Sequence, residues 1–156
     1  QESLALPNKN TVRGKKMRRR VIIASHSTLS KGMAETLKFF EGEDAEFVIV
    51  TAYVDNKPIE GIIEKIFAGI PDEDEVIVLT DLMAGSVNQK FMPRIARPHT
   101  HLLTGMNLSL AMALTMESTD SYLTEERINQ IVDEARDQVQ YVNVALQALS
   151  EDDEDE

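Results

Sequence analysis

The chain has 156 residues, 42% of them hydrophobic, enough for one domain of ordinary size with its own core. It contains no cysteine, so disulfides, thiolate zinc sites and cysteine nucleophiles are excluded, and nothing conflicts with a reducing cytosol. No apolar run approaches the roughly 20 residues that span a bilayer, the first residues lack the apolar stretch of a secretory signal, and a net charge of -11 argues against nonspecific nucleic-acid binding. A cytoplasmic protein with no direct membrane insertion is expected.

Charge is uneven along the chain. Lys9, Arg13, Lys15, Lys16, Arg18, Arg19 and Arg20 face only Glu2 in the first twenty residues. Met17 before Arg18-Arg19-Arg20 reads as a natural start, so residues 1–17 are expected as a basic leader without packed structure, and residues 18–149 as the domain. Val21-Ile22-Ile23-Ala24 is the first strand-like run, and Ser25-His26-Ser27 carries a histidine from its end into a loop. Ligands and chemistry gather at strand ends in open α/β sheets, which makes His26 a candidate site residue. Leu29, Met33, Leu37 and Phe40 then fall on one helical face, and Phe47-Val48-Ile49-Val50 reads as a buried strand.

Asn56-Lys57-Pro58 reads as a helix entry with proline in the first turn. Ile59, Ile62, Ile63, Ile66, Phe67 and Ile70 follow at helical spacing until Gly69 and Pro71 end the pattern. The next strand, Val76-Ile77-Val78-Leu79-Thr80, delivers Asp81 and then Gly85-Ser86 to an equivalent place, so a histidine and an aspartate at two parallel strand tips can meet. Ser86 is expected to cap a helix carrying Val87, Phe91 and Ile95, shortened or kinked by Pro93. His101 to Thr104 is a short fourth strand. His99 and His101 have alternating spacing that points both the same way, but no nearby carboxylate or cysteine completes a ligand set, and no metal site is expected. Asn107 is placed to cap an apolar helix over 108–116, and Thr124 to start one long final helix with the stripe Ile128, Ile131, Val132, Ala135, Val139, Val142, Leu146 and Leu149. Residues 150–156 are read as a disordered acidic tail.

Alternation of four strands with about five helices predicts a single three-layer α/β domain, its mainly parallel four-stranded sheet covered by helices on both faces. The chain lacks the G-x-x-x-x-G-K-[ST], G-x-G-x-x-G and G-x-S-x-G patterns, which removes the usual support for nucleotide hydrolysis, dinucleotide binding and α/β-hydrolase chemistry. On residues alone, His26 is either a nucleophile at a strand tip or a satisfied loop histidine. Asp81 either orients that ring or caps the next helix. Gly85, Ser86 and the amides after them suit a phosphoryl group at a helix N-terminus, while Ser86 also serves as an ordinary cap.

Three segments resemble one family. Ala24-Ser25-His26-Ser27-Thr28-Leu29-Ser30-Lys31-Gly32-Met33 resembles the phosphohistidine segment of the enzyme IIA component of the mannose-type (mannose/fructose/sorbose) phosphoenolpyruvate-dependent sugar phosphotransferase system. Thr80-Asp81-Leu82-Met83-Ala84-Gly85-Ser86-Val87-Asn88 is similar to its second signature, and Thr104-Gly105-Met106-Asn107-Leu108 to its Gly-Met-Asn-Leu turn. Ser27 stands where the family often has glycine, and Ala84 replaces the first glycine of a Gly-Gly-Ser turn. The resemblance implies a phosphotransferase-type phosphocarrier without cofactor. It would take a phosphoryl group from phospho-HPr on His26 and pass it to enzyme IIB, with Asp81 as the ring's partner and Gly85 and Ser86 at the phosphoryl group. It further implies a homodimer, with possible exchange of a C-terminal segment, and here a IIA unit without a fused IIB domain. The alternatives are the IIA-like subunit of a dihydroxyacetone kinase, a noncatalytic regulatory phosphorylation module and a plain α/β binding domain.

Overall fold

The computed structural model describes residues 11–12 and 15–155; the basic leader expected over 1–17 lies mostly outside them. Thr11–Val12 and Lys15–Lys16 pair as a two-residue antiparallel ladder, and Met17 is already buried. The main sheet consists of β1 (Arg19–His26), β2 (Val48–Ala52), β3 (Glu75–Thr80) and β4 (Thr100–Leu103). Its strands lie in the order β2-β1-β3-β4, all parallel. Among the described residues six α-helices accompany it: α1 (Leu29–Glu41), α2 (Ile59–Ala68), α3 (Ser86–Phe91), α4 (Leu108–Thr115), α5 (Glu125–Arg136) and α6 (Val142–Glu154). This is the expected three-layer α/β domain.

Strand alternation builds two cores. Val21 and Ile23 of β1 and Ile77 and Leu79 of β3 pack with Leu37 of α1, Leu110 and Leu114 of α4 and Ile131 of α5. Ile22, Ala24, Val76 and Val78 point the other way and meet Ile63 and Phe67 of α2 and Phe91 of α3. All six residues of β3 are buried, as expected of a central strand covered on both faces. Each fully buried Ile or Leu contributes roughly 1.5–3 kcal/mol relative to exposure.

This strand order reverses direction between β1 and β3. At such a switch point the crossovers leave to opposite sides and open a crevice beyond the carboxyl ends of the two strands. β1 ends at His26 and β3 ends one residue before Asp81, so the topology brings both to that crevice.

Several elements depart from the sequence expectation. The single final helix is two, interrupted over residues 137–141. Asn107 explains part of the break. Its Oδ1 accepts from Leu110 N at 2.8 Å, capping α4 as expected, while its Nδ2 donates to the Ala135 carbonyl at 2.9 Å and helps satisfy the end of α5. Beyond that point no residue of α6 is buried, and Val139, Val142, Leu146 and Leu149 of the anticipated stripe are exposed. The helix also runs on through Glu154 in the segment expected to be disordered. Leu29, Phe40 and Ile95 are exposed although they share the expected inner faces, and Ile49 is exposed because β2 is an edge strand. Pro93 does shorten α3, which gives way to a 3-10 turn over Met92–Ala96. Pro58 precedes α2 as its N-cap and does not sit in its first turn.

The two downstream histidines do not act together. His99 precedes β4 with φ 55° and stacks on Tyr122, ring centroids 3.6 Å apart, whereas His101 Nε2 lies 3.4 Å from Glu75 Oε2.

Candidate functional site

His26 and Asp81 meet as anticipated. Nδ1 of the imidazole lies 2.8 Å from Asp81 Oδ2, and the same oxygen accepts the backbone N–H of His26 at 2.8 Å. Asp81 Oδ1 takes the N–H of Leu82 at 3.0 Å, so the acid closes its own turn while it grips the histidine. Burial pushes this carboxyl upward, but the backbone N–H and ring of His26 outweigh it and hold Asp81 below the usual carboxylate range. An ionised carboxylate can only accept, so Nδ1 carries the ring proton. The lone pair of the neutral imidazole is therefore on Nε2.

That nitrogen faces outward. The His26 side chain is 38% exposed against 8% for Asp81, so one ring edge is anchored and the other is accessible. Ser86 Oγ stands 3.4 Å from Nε2. Ser86 is the first residue of α3, the cap position belongs to Gly85, and no side-chain cap bond forms, so the expected capping role of Ser86 is not realised. Its hydroxyl turns to the histidine because Gly85 is extended, at φ -74° and ψ 150°, and aims the first turn of α3 across the crevice.

Gly85 sits hard against the ring. A Cβ at that position would be 3.0 Å from His26 Cε1 and 3.2 Å from Leu82 Cβ, so any larger residue would press the ring or Leu82 aside by a few tenths of an ångström. Behind the site, Ser25 Oγ accepts from Ser30 N at 2.7 Å, and Thr80 Oγ1 donates to Asn88 Oδ1 at 2.9 Å, each tying a strand end to the following helix. Ser27 takes φ 54° directly after the histidine, the left-handed conformation that glycine adopts without strain.

Tyr53 belongs to the site and carried no sequence signal of its own. It follows β2, whose last residue Ala52 is in register with His26. Its hydroxyl lies 2.5 Å from Ser86 Oγ, and its ring is 5.5 Å from that of His26. Only its place, next after a parallel strand tip, hinted at it. Lys90, one turn beyond Ser86 on α3, pairs with Glu60 of α2. Around the crevice Leu29 at the start of α1 and the loop residues Val54, Leu82 and Met83 are exposed. Among the described residues no group of three metal-ligating side chains forms, and no helix is long and apolar enough to cross a membrane.

An imidazole with one nitrogen bonded to a carboxylate and the other open beside a hydroxyl is arranged for nucleophilic or acid-base work at Nε2. Comparison with known proteins narrows the class. The family model described as PTS system fructose IIA component, of mannose type, matches residues 20–132. A Klebsiella pneumoniae protein described as a phosphoenolpyruvate-dependent sugar phosphotransferase system (PTS) permease is 32% identical, covering 92% of this chain and 99% of its own, with a TM-score of 0.77. The PTS IIA protein associated with the fucose utilization operon of Streptococcus pneumoniae is 29% identical over 83% of this chain and 97% of its own, TM-score 0.69. The mannose/sorbose-specific IIA subunit of Enterococcus faecalis shares the fold at 20% identity, over 80% of this chain and 94% of its own, TM-score 0.65. Curated proteins yield no match. With the family model spanning well over half of its length, the chain belongs to the mannose-type IIA family of the sugar phosphotransferase system.

Proposed function

We propose that this chain is a cytoplasmic phosphocarrier that takes a phosphoryl group from phospho-HPr on His26 and passes it to enzyme IIB. The observation that carries this reading is the split role of the His26 ring. Nδ1 is bonded to an ionised acid at 2.8 Å, and Nε2 is left with its lone pair on the exposed edge.

In transfer, the Nε2 lone pair forms a bond to phosphorus as the N–P bond of the donor histidine breaks, and the donor nitrogen keeps that electron pair. No proton has to move, because Nδ1 keeps its hydrogen throughout. Positive charge that develops on the His26 ring is balanced by the Asp81 carboxylate, the same service an aspartate renders a histidine in serine-protease triads. Ser86 supplies a hydroxyl to the phosphoryl oxygens, and Gly85 leaves room for the ring and its new substituent. Onward transfer to enzyme IIB is the same exchange with the roles reversed. The exposed apolar side chains of Leu29, Val54, Leu82 and Met83 around the crevice give protein partners a surface on which to dock.

The chain is further proposed to work as a homodimer. Support comes from the uncovered residues Val139, Tyr141, Val142, Leu146 and Leu149, together with a groove of about 370 Å³ between β4, α4 and α5.

The phosphocarrier reading is tested by incubation with phosphoenolpyruvate, enzyme I and HPr. One acid-labile, base-stable phosphoryl group per chain is expected, with none on His26→Ala, and enzyme IIB should discharge it. Equal labelling of wild type and His26→Ala would remove His26 as the carrier.

A further inference from the structure

We infer that Tyr53 is a positioning residue for phosphoryl transfer, its phenol hydroxyl fixing the direction in which the Ser86 hydroxyl donates. The inference rests on the phosphocarrier reading and adds a residue to it. Three atoms form a chain: Tyr53 OH to Ser86 Oγ at 2.5 Å, and Ser86 Oγ to His26 Nε2 at 3.4 Å.

Either hydroxyl is able to donate in the first contact, but the far end of the ring decides which does. Asp81 accepts from Nδ1, so Nε2 has a lone pair and no hydrogen. Ser86 must then donate to Nε2, which leaves its oxygen as the acceptor from Tyr53. The direction Tyr53 to Ser86 to His26 follows from the carboxylate on the opposite side of the imidazole. When Nε2 becomes bonded to phosphorus, the Ser86 hydrogen already points to where the phosphoryl oxygens arrive. Without the phenol, that hydroxyl is free to rotate toward solvent, and each transfer must recover its orientation.

Backbone conformation supports the assignment. Tyr53 has φ 66°, a left-handed geometry uncommon for a bulky residue and strained without outside support. Burial does not explain it, because the residue is 61% exposed. What the conformation achieves is placement, with the ring 5.5 Å from His26 at 33° and the hydroxyl on Ser86.

Single-turnover transfer from phospho-HPr, run as a function of donor concentration, tests this role. Tyr53→Phe keeps the ring and loses only the hydroxyl. Its saturating rate is expected to fall about 3- to 10-fold, the span of one ordinary hydrogen bond, with the half-saturating concentration unchanged. In a Ser86→Ala background the same substitution should cost nothing more, because Tyr53 acts through that hydroxyl. A wild-type rate in Tyr53→Phe, an effect confined to half-saturation, or an equal loss in both backgrounds would each overturn the role of Tyr53 and leave the phosphocarrier reading intact. Wild-type protein that accepts no phosphoryl group from either phospho-HPr or phosphoramidate would overturn both.

Discussion

At position 85 a methyl group would stand 3.0 Å from Cε1 of His26, closer than neighbouring carbons normally approach. The backbone there is in an ordinary extended conformation, so Gly85→Ala acts by contact with the ring and with Leu82 and not through backbone strain. Its expected result is a displaced imidazole and a several-fold slower transfer, with thermal denaturation near that of wild type. A variant of unchanged rate would show that the ring has slack in this direction. His26 and Asp81 were legible in the sequence because each follows an apolar run short enough to be a strand, and parallel strands end together. Ser86 was legible as a residue with two readings, a cap and a phosphoryl contact; the cap position belongs to Gly85, and the Ser86 hydroxyl lies 3.4 Å from Nε2. Tyr53 was marked by its place after a strand tip alone, since nothing in a sequence signals a tyrosine that leaves a strand with positive φ.

Helical spacing reveals which residues share a face but not whether anything covers it. The expected stripe from Ile128 to Leu149 is continuous in sequence, yet only its first part reaches the core, because the Asn107 side chain meets the end of α5 at Ala135 and the chain turns away. A second element-level feature lies at the other end of the sheet. Glu75 at the start of β3 is fully buried and binds Arg19 Nε at 2.6 Å and the N–H of Leu123 at 2.8 Å, while Arg19 also donates to the carbonyls of Glu117, Ser118 and Ser121. Together they fasten the loop between α4 and α5 to the sheet. Burial pushes the Glu75 carboxyl up, but His101, Arg19 and the Leu123 amide prevail and hold it below the ordinary range. A depressed folded-state pKa means stability present above the unfolded value and lost as pH falls through the folded one. Glu75→Gln is therefore expected to unfold about 3 kcal/mol more easily at neutral pH. Its stability should also fall less steeply than that of wild type below about pH 4. Parallel urea titrations across that range measure both, and identical slopes would contradict the ionised latch.

On the scale of the whole molecule, the leader over residues 1–17 carries +3 and the six acidic residues at the end carry -6, so residues 18–150 hold -8 of the net charge of -11. The apolar surface at the C-terminal end is the larger anomaly. Val142, Leu146 and Leu149 are each more than half exposed on one helix, which a homodimer would cover. Sedimentation velocity should find a dimer, and Leu146→Glu should shift it toward monomer; a monomeric wild type would reject the dimer.

Everything proposed for the site depends on one division of labour in the His26 ring, with Nδ1 held by Asp81 and Nε2 left to react. The direct measurement is nitrogen and phosphorus NMR of the phosphorylated, ¹⁵N-histidine-labelled protein. The phosphorus should couple to Nε2 of His26 while Nδ1 remains protonated, and Asp81→Asn should slow formation of that species. Phosphorus on Nδ1, or on any residue other than His26, would contradict the account.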